Sequence, residues 1–296
     1  MSTNLAGPDG GAAADLVIEP MRRDQIAVLG QWAAAEGWNP GHHDIEIAWA
    51  VDPDAFIALR QGDRLIGGGT IISYAGLHGF MGLFIVHTDF RGEGLGTQLW
   101  HRRRDLLLKR LQPGASIGMD GVFAMVPFYE RGGFTLAYRD LRYEGVAHGV
   151  ADPDVVPLSE VPFAQLDSFD RRHVAAPRSA FLQRWVEQQG VHTVALTGAD
   201  GALVGYGVAR PCVRGYKIGP LFADTEQVAE RLLDSLCAKI AGEFVQIDVP
   251  EVNHAGVAMA QRRGFTESFG CARMYLGSDP GLPTDRIFGV TSFEFG

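Results

Sequence analysis

The strongest constraint on what this chain can fold into is a faint internal repeat. Ile117-Gly118-Met119-Asp120 leads on to Tyr129-Glu130-Arg131-Gly132-Gly133-Phe134, and Val245-Gln246-Ile247-Asp248 leads on to Ala260-Gln261-Arg262-Arg263-Gly264-Phe265. In both places a short apolar run ends in aspartate, and a helix-sized stretch then closes on Gly-Phe. A chain of 296 residues, 46% of them apolar, is long enough to bury two cores of ordinary size, so the repeat is read as two successive units of one kind. The Gly-, Pro- and Asp-rich stretch at 145–157 marks the join. The expected division is a tail at 1–15, a first domain at 16–145, a linker at 146–157 and a second domain at 158–296.

Periodicity fills in each unit. Asp24 is placed to cap a helix running to Ala35, and a second, short helix follows from Asp44 to Ala50. Phe56 to Arg60 and Leu65 to Ile72 flank Gln61-Gly62-Asp63 as a hairpin. Then come a strand from Gly79 to Val86, a glycine turn, and a helix with Leu95, Leu99 and Leu106 on one face. A strand at 117–120, a short helix at 127–132 and a strand at 136–143 complete the unit. The second unit repeats this order with strands at 192–197, 202–210, 217–222 and 244–249, helices at 225–240 and 254–262, and a final strand after Phe265. The alternating stretch at 286–295 adds one more strand.

Composition narrows the function. The formal charge of −9 lacks the basic footprint of a nucleic-acid binder. No apolar run approaches the roughly 18 residues that cross a bilayer, and the first 15 residues have neither the basic start nor the apolar centre of a signal peptide. Cys212, Cys237 and Cys271 are odd in number and far apart, without metal-ligand spacing. They read as buried thiols in a reducing compartment, the cytoplasm, with no metal site.

The chemistry is announced by Arg91-Gly92-Glu93-Gly94-Leu95-Gly96 between a strand and a helix. Glycines let backbone N–H groups converge on one point, and a helix N-terminus adds partial positive charge, so the expected guest is a phosphate or pyrophosphate. A P-loop would end in Gly-Lys-Ser/Thr, and here the residues are Gly96-Thr97-Gln98. A dinucleotide fingerprint would need a third glycine where Leu99 stands, and a βαβ opening where this chain has a hairpin; Asp120 alone would suit an NAD-dependent oxidoreductase. With strand, R-x-x-G-x-G, helix, strand and a short helix ending in YExxGF, the first unit resembles the GNAT superfamily of N-acetyltransferases. The stretches EGWNPG, IGMDG and AYRDLRYEG are similar to a bacterial subgroup with two tandem GNAT-like domains.

That resemblance implies a mixed α/β fold of α+β type, each unit a mostly antiparallel sheet flanked by helices. It implies acetyl-CoA as co-substrate, held by Phe84, Ile85 and Val86 along the pantetheine arm and by Arg91, Gly92, Glu93, Gly94, Leu95, Gly96 and Thr97 around the pyrophosphate. It implies a small-molecule or peptidyl amine as acceptor. Tyr129 is the expected acid for the departing CoA thiolate. Asp44 leads the candidates for the base, ahead of Glu36, Glu46, His42, His43, His78 and His87, with capping of the short helix as its other reading. Trp38 and Asp120 are expected at the acceptor. Many members carry asparagine at the position of Val122. A non-catalytic acyl-CoA sensor is the second reading.

In the second unit Ala223-Asp224-Thr225-Glu226-Gln227 replaces the glycine loop, and Ala260 stands where Tyr129 would be. Two carboxylates suit a helix start but repel a pyrophosphate. This unit is expected to be a degenerate copy.

Overall fold

The computed structural model describes residues 16–296; the expected tail at 1–15 lies outside them. The first half runs β1 (Leu16–Pro20), α1 (Ile26–Ala35), α2 (Asp44–Val51), β2 (Phe56–Gln61), β3 (Arg64–Tyr74), β4 (His78–Val86), α3 (Leu95–Leu108), β5 (Ser116–Val122), α4 (Val126–Arg131) and β6 (Thr135–Val146). The second runs α5 (Phe163–Asp170), α6 (Ser179–Glu187), β7 (His192–Thr197), β8 (Leu203–Pro211), β9 (Tyr216–Ala223), α7 (Glu226–Lys239), β10 (Phe244–Pro250), α8 (His254–Arg262), β11 (Thr266–Leu276) and β12 (Ile287–Gly289). The expected order is present in both halves. Asp24 lies in a 3₁₀ turn, and the α-helix begins after it at Ile26 without a side-chain cap. β1, α5 and α6 are additional to the elements read from periodicity. Of the stretch at 286–295 only Ile287–Gly289 is strand, paired with β9.

The two halves share one sheet, ordered β1-β2-β3-β4-β5-β11-β6-β10-β9-β8-β7. Each half has given a strand from near its end to the other: β11 lies between β5 and β6, and β6 pairs with β10. Antiparallel pairing dominates, and among the described residues only β4/β5 and β9/β10 run parallel. Buried charges mark the seam. Arg142 on β6 binds the Asp248 carboxylate on β10 through Nε (2.6 Å) and Nη2 (2.8 Å). Arg273 on β11 grips Asp120 on β5 in the same two-pronged way, and lies 3.6 Å from Asp140 on β6. A slip of one residue would strand these charges on the wrong face without partners, which costs several kcal/mol, so they fix the register.

Helix α3 buries Leu95, Leu99, Trp100 and Leu107 against the first half of the sheet. Arg103 on the same helix is fully buried, although it stands in a run of three arginines that reads as a solvated face. It fits because Gly69 on β3 has no side chain; a Cβ there would collide with the guanidinium.

Candidate active site

Strands β4 and β5 pair only from His78 to Phe80 against Ser116 to Gly118. Beyond that point they diverge, and Met81–Val86 on one side and Met119–Val122 on the other flank a cavity of about 420 Å³. A bulge shapes the β4 wall. Between the pairs Gly68/Ile85 and Thr70/Gly82, Leu83 and Phe84 together oppose Gly69, and Leu83 takes φ +50°. A bulge leaves backbone groups outside the ladder and re-aims them. Arg103 braces it from behind, its Nη2 donating to the carbonyls of Thr70 (2.5 Å) and Gly82 (2.6 Å). With no carboxylate beside it, burial pulls this guanidinium down to about 9.

At the end of β4 the chain makes the glycine turn. Gly92 and Gly94 have φ of +86° and +77°, a region closed to most side chains, and a Cβ on either would point into open space. Backbone conformation therefore explains these two glycines, and clearance around them does not. Gly94 is the N-cap of α3, so the amides of Leu95, Gly96 and Thr97 have no partner within the helix, and no side chain of the described residues caps them. Together with those of Gly92 to Gly94 they form a row of free donors beside the cavity, which Gly92 and Gly96 help to line. Arg91 fixes the turn through Nε to the Val86 carbonyl (2.8 Å) and through an ion pair to Glu36.

Tyr129 lies on the opposite wall, 4% exposed, its ring packed on Trp100 and Phe128. Burial pushes its hydroxyl up to about 12, against the pull of Arg103, so it holds its proton at neutral pH. Cys271 also lines the cavity, and burial raises its thiol well above the usual range. An apolar wall that raises these two groups raises any other thiol brought to it, because desolvation disfavours both anions alike.

The residues expected at the acceptor separate. Trp38 lines the cavity, its carbonyl accepting from Arg142 Nη1 (2.9 Å) and Lys217 Nζ (3.2 Å). Asp120 also borders it, but both its carboxylate oxygens are held by Arg273. Asp44 is not part of the cavity wall. It is buried, accepts from the Gly41 amide at 2.9 Å and from Arg210 Nε at 3.0 Å, and ties α2 to β8 of the second half. An aspartate clamped by a buried arginine is not free to serve as a base, and Asp44 is set aside. Glu36, by contrast, is at the cavity. The wall also takes four residues from the end of the second half that were not read from the sequence as part of the site: Phe269, Cys271, Phe293 and Glu294. The alternation at 286–295 was the only sequence signal for Phe293 and Glu294, and Phe269 had none.

The second half shows the corresponding place closed. The hydroxyl of Thr225 accepts from the Val228 amide and caps α7 itself. Asp224 beside it faces Arg172 and Arg286. β9 and β10 pair from Tyr216 to Ile218 and then part, but β12 fills the gap, and the Val290 amide donates to the Asp248 carbonyl at 2.8 Å.

The sheet splays beside a glycine turn, a bulged strand and a helix N-terminus, leaving a cleft with backbone donors to spare. Two family profiles match the chain: the acetyltransferase (GNAT) family over residues 23–134, and an acetyltransferase (GNAT) domain over residues 166–289. Together they span most of the chain, which belongs to the GNAT acetyltransferase superfamily as a tandem-domain transferase. Among curated proteins it is similar to the holothin acyltransferase of Pseudoalteromonas sp. (strain SANK 73390), 27% identical across 94% of each chain. It is also similar to the uncharacterized N-acetyltransferase YitH of Bacillus subtilis (strain 168), 24% identical over 78% of this chain and 80% of that one. In fold it resembles a Pyrococcus horikoshii protein described as an acetyltransferase, with a TM-score of 0.80, 22% identity and coverage of 98% and 99%. A tandem GNAT protein from the clavulanic acid biosynthesis pathway gives a TM-score of 0.61, 15% identity and coverage of 90% and 100%. Among the described residues no helix is long and apolar enough to cross a membrane, and no cluster of three or more metal-ligating side chains is found.

Proposed function

We propose that this protein transfers an acetyl group from acetyl-CoA to a primary amine by direct attack, with the chemistry in residues 16–145 and a supporting, degenerate copy in residues 158–296. The single observation that carries the reading is the row of unpartnered amides from Gly92 to Thr97 at the mouth of an open strand splay. The diphosphate of CoA suits that row by charge and by donor count. Its pantetheine arm runs along Phe84, Ile85 and Val86, where the bulge offers backbone groups, one of them a donor to the thioester carbonyl as negative charge develops there. Tyr129 donates its proton to the departing sulfur, whose own affinity for protons rises in the same dry wall. Cys271 supports direct transfer over an acyl-cysteine route, since a thiol held protonated by burial is a poor nucleophile. All three cysteines are buried and unpaired, in keeping with a cytoplasmic protein.

The test is release of CoA thiol across a panel of amines, with Tyr129→Phe as control, beside a thermal-shift comparison of acetyl-CoA with NAD. Stabilisation by acetyl-CoA alone and amine-dependent thiol release are expected. Binding of acetyl-CoA without turnover of any amine would favour a sensor, and stabilisation by NAD an oxidoreductase.

A further inference from the structure

We propose that Glu294 receives the acceptor amine and takes its proton, and that the acceptor is a small primary amine with an apolar body. The inference rests on the acetyl-transfer reading above and adds the other half of the reaction to it.

Residues 290–296 leave the filled cleft of the second half and cross to the open cleft of the first. The segment is clamped on the way. The Val290 amide is bonded to β10, the Tyr74 hydroxyl donates to the Phe295 carbonyl at 2.6 Å, and the Glu294 carbonyl packs where a Cβ of Gly82 would stand. These contacts set Phe293 and Glu294 into the wall of the 420 Å³ cavity, with the Glu294 backbone against Gly82 of β4.

Glu294 is only 5% exposed, and it differs from the buried carboxylates around it. Asp44, Asp120, Asp170 and Asp248 each have an arginine at hydrogen-bond distance, and Asp140, whose oxygens have no hydrogen-bond donor among the described residues, still lies 3.6 Å from Arg273. Among the described residues Glu294 has no cation within ion-pair range. One oxygen, Oε2, accepts from the Ser292 hydroxyl, and Oε1 has no protein donor. The nearby buried cations are committed elsewhere, Arg142 to Asp248 and Lys217 to the Trp38 carbonyl. Leaving a buried carboxylate without a partner costs a few kcal/mol. A cavity wall that keeps one is complementary to a cation or an N–H donor. Trp38, Phe269 and Phe293 line the same cavity and offer aromatic faces, so the body behind the amine is apolar.

The proton balance closes. The ammonium gives one proton to Glu294, and the freed nitrogen forms a bond to the thioester carbonyl carbon. The C–S bond breaks, and Tyr129 protonates the leaving sulfur. The nitrogen's second proton returns to the tyrosinate, and Glu294 releases its own to water. Amide and CoA thiol result, with no oxidation or reduction.

The experiment uses the full chain with Glu294→Gln and Glu294→Asp, acetyl-CoA titrated by calorimetry, and thiol release measured with benzylamine, phenethylamine and a lysine-containing peptide. Glu294→Gln is expected to keep acetyl-CoA affinity within about twofold while kcat/KM for the small amines falls by roughly 10² or more. Glu294→Asp, which keeps the charge one methylene short, should recover part of that loss. An unchanged kcat/KM in both variants overturns the role of Glu294 and leaves acetyl transfer standing. Preference for the peptide over both small amines overturns the acceptor class. A wild-type chain that binds no acetyl-CoA overturns the reading of the cleft, and this proposal with it.

Discussion

The two halves of this molecule repeat one strand–turn–helix unit and part company at two small places. In the first, Gly92 and Gly94 adopt positive φ and leave the first turn of α3 uncapped, beside strands that splay around an empty volume. In the second, Thr225 caps α7, Asp224 occupies the approach, and β12 fills the splay. Helix, strands and register survive in both. An anion site on this scaffold therefore depends on donors left over and space left open, and either is lost without disturbing the fold.

The largest effect on that contrast is expected from Tyr129→Phe, which brings the first half to the chemistry of the second, where Ala260 stands at the matching place. kcat should fall by roughly 10²–10⁴ with acetyl-CoA affinity unchanged, measured by thiol release and calorimetry.

Next comes acid. His78, at the hinge of the open splay, is buried with Nδ1 3.1 Å from Ser116 Oγ, and burial, aided by Arg273, lowers its pKa to about 4. Between pH 6.5 and 4 the unfolded chain binds a proton that the native hinge refuses. The contribution of His78 to stability should therefore fall as pH drops through that window, by up to about 3 kcal/mol, and be spent below it. Thermal melts should show a shallower slope in His78→Asn than in the wild type, the remainder belonging to His173 and His192, whose pKa values burial also lowers. The corresponding hinge of the second half carries Tyr216 opposite Val245 and adds no such dependence.

Gly94→Ala should strain the turn by about 1–2 kcal/mol and weaken acetyl-CoA roughly tenfold. Calorimetry on the wild type should give one acetyl-CoA per chain; two would mean that β12 leaves its groove. The smallest effect belongs to Thr225→Ala, which removes a cap worth about 1 kcal/mol of stability and should leave acetyl-CoA binding untouched.

What the sequence disclosed follows from range. The glycine turn, the element order and the missing turn of the second half are local patterns, and each stands where the pattern puts it. Helix α6 was missed although Phe181, Leu182 and Trp185 recur at helical spacing and are all buried. The partners of charged residues were not legible. Asp44 reads as a cap or a base until Arg210, 166 positions away, is found against it. Asp120 reads as an acceptor ligand until β11 brings Arg273 beside it. Arg103 reads as solvated because nothing in its own helix shows that Gly69 has made room across the sheet. Glu294 lies in a stretch whose destination depends on which gap in the sheet stands open, a property of both halves at once.

The reciprocal placement of β6 and β11 makes the halves mutually dependent in a way that a simple duplication would not. A fragment ending before residue 150 would present β5 and β6 with no strand between them, and two bare edges invite self-association. Separately produced fragments should aggregate, yet knit together when mixed during refolding, and the intact chain should melt in a single cooperative step.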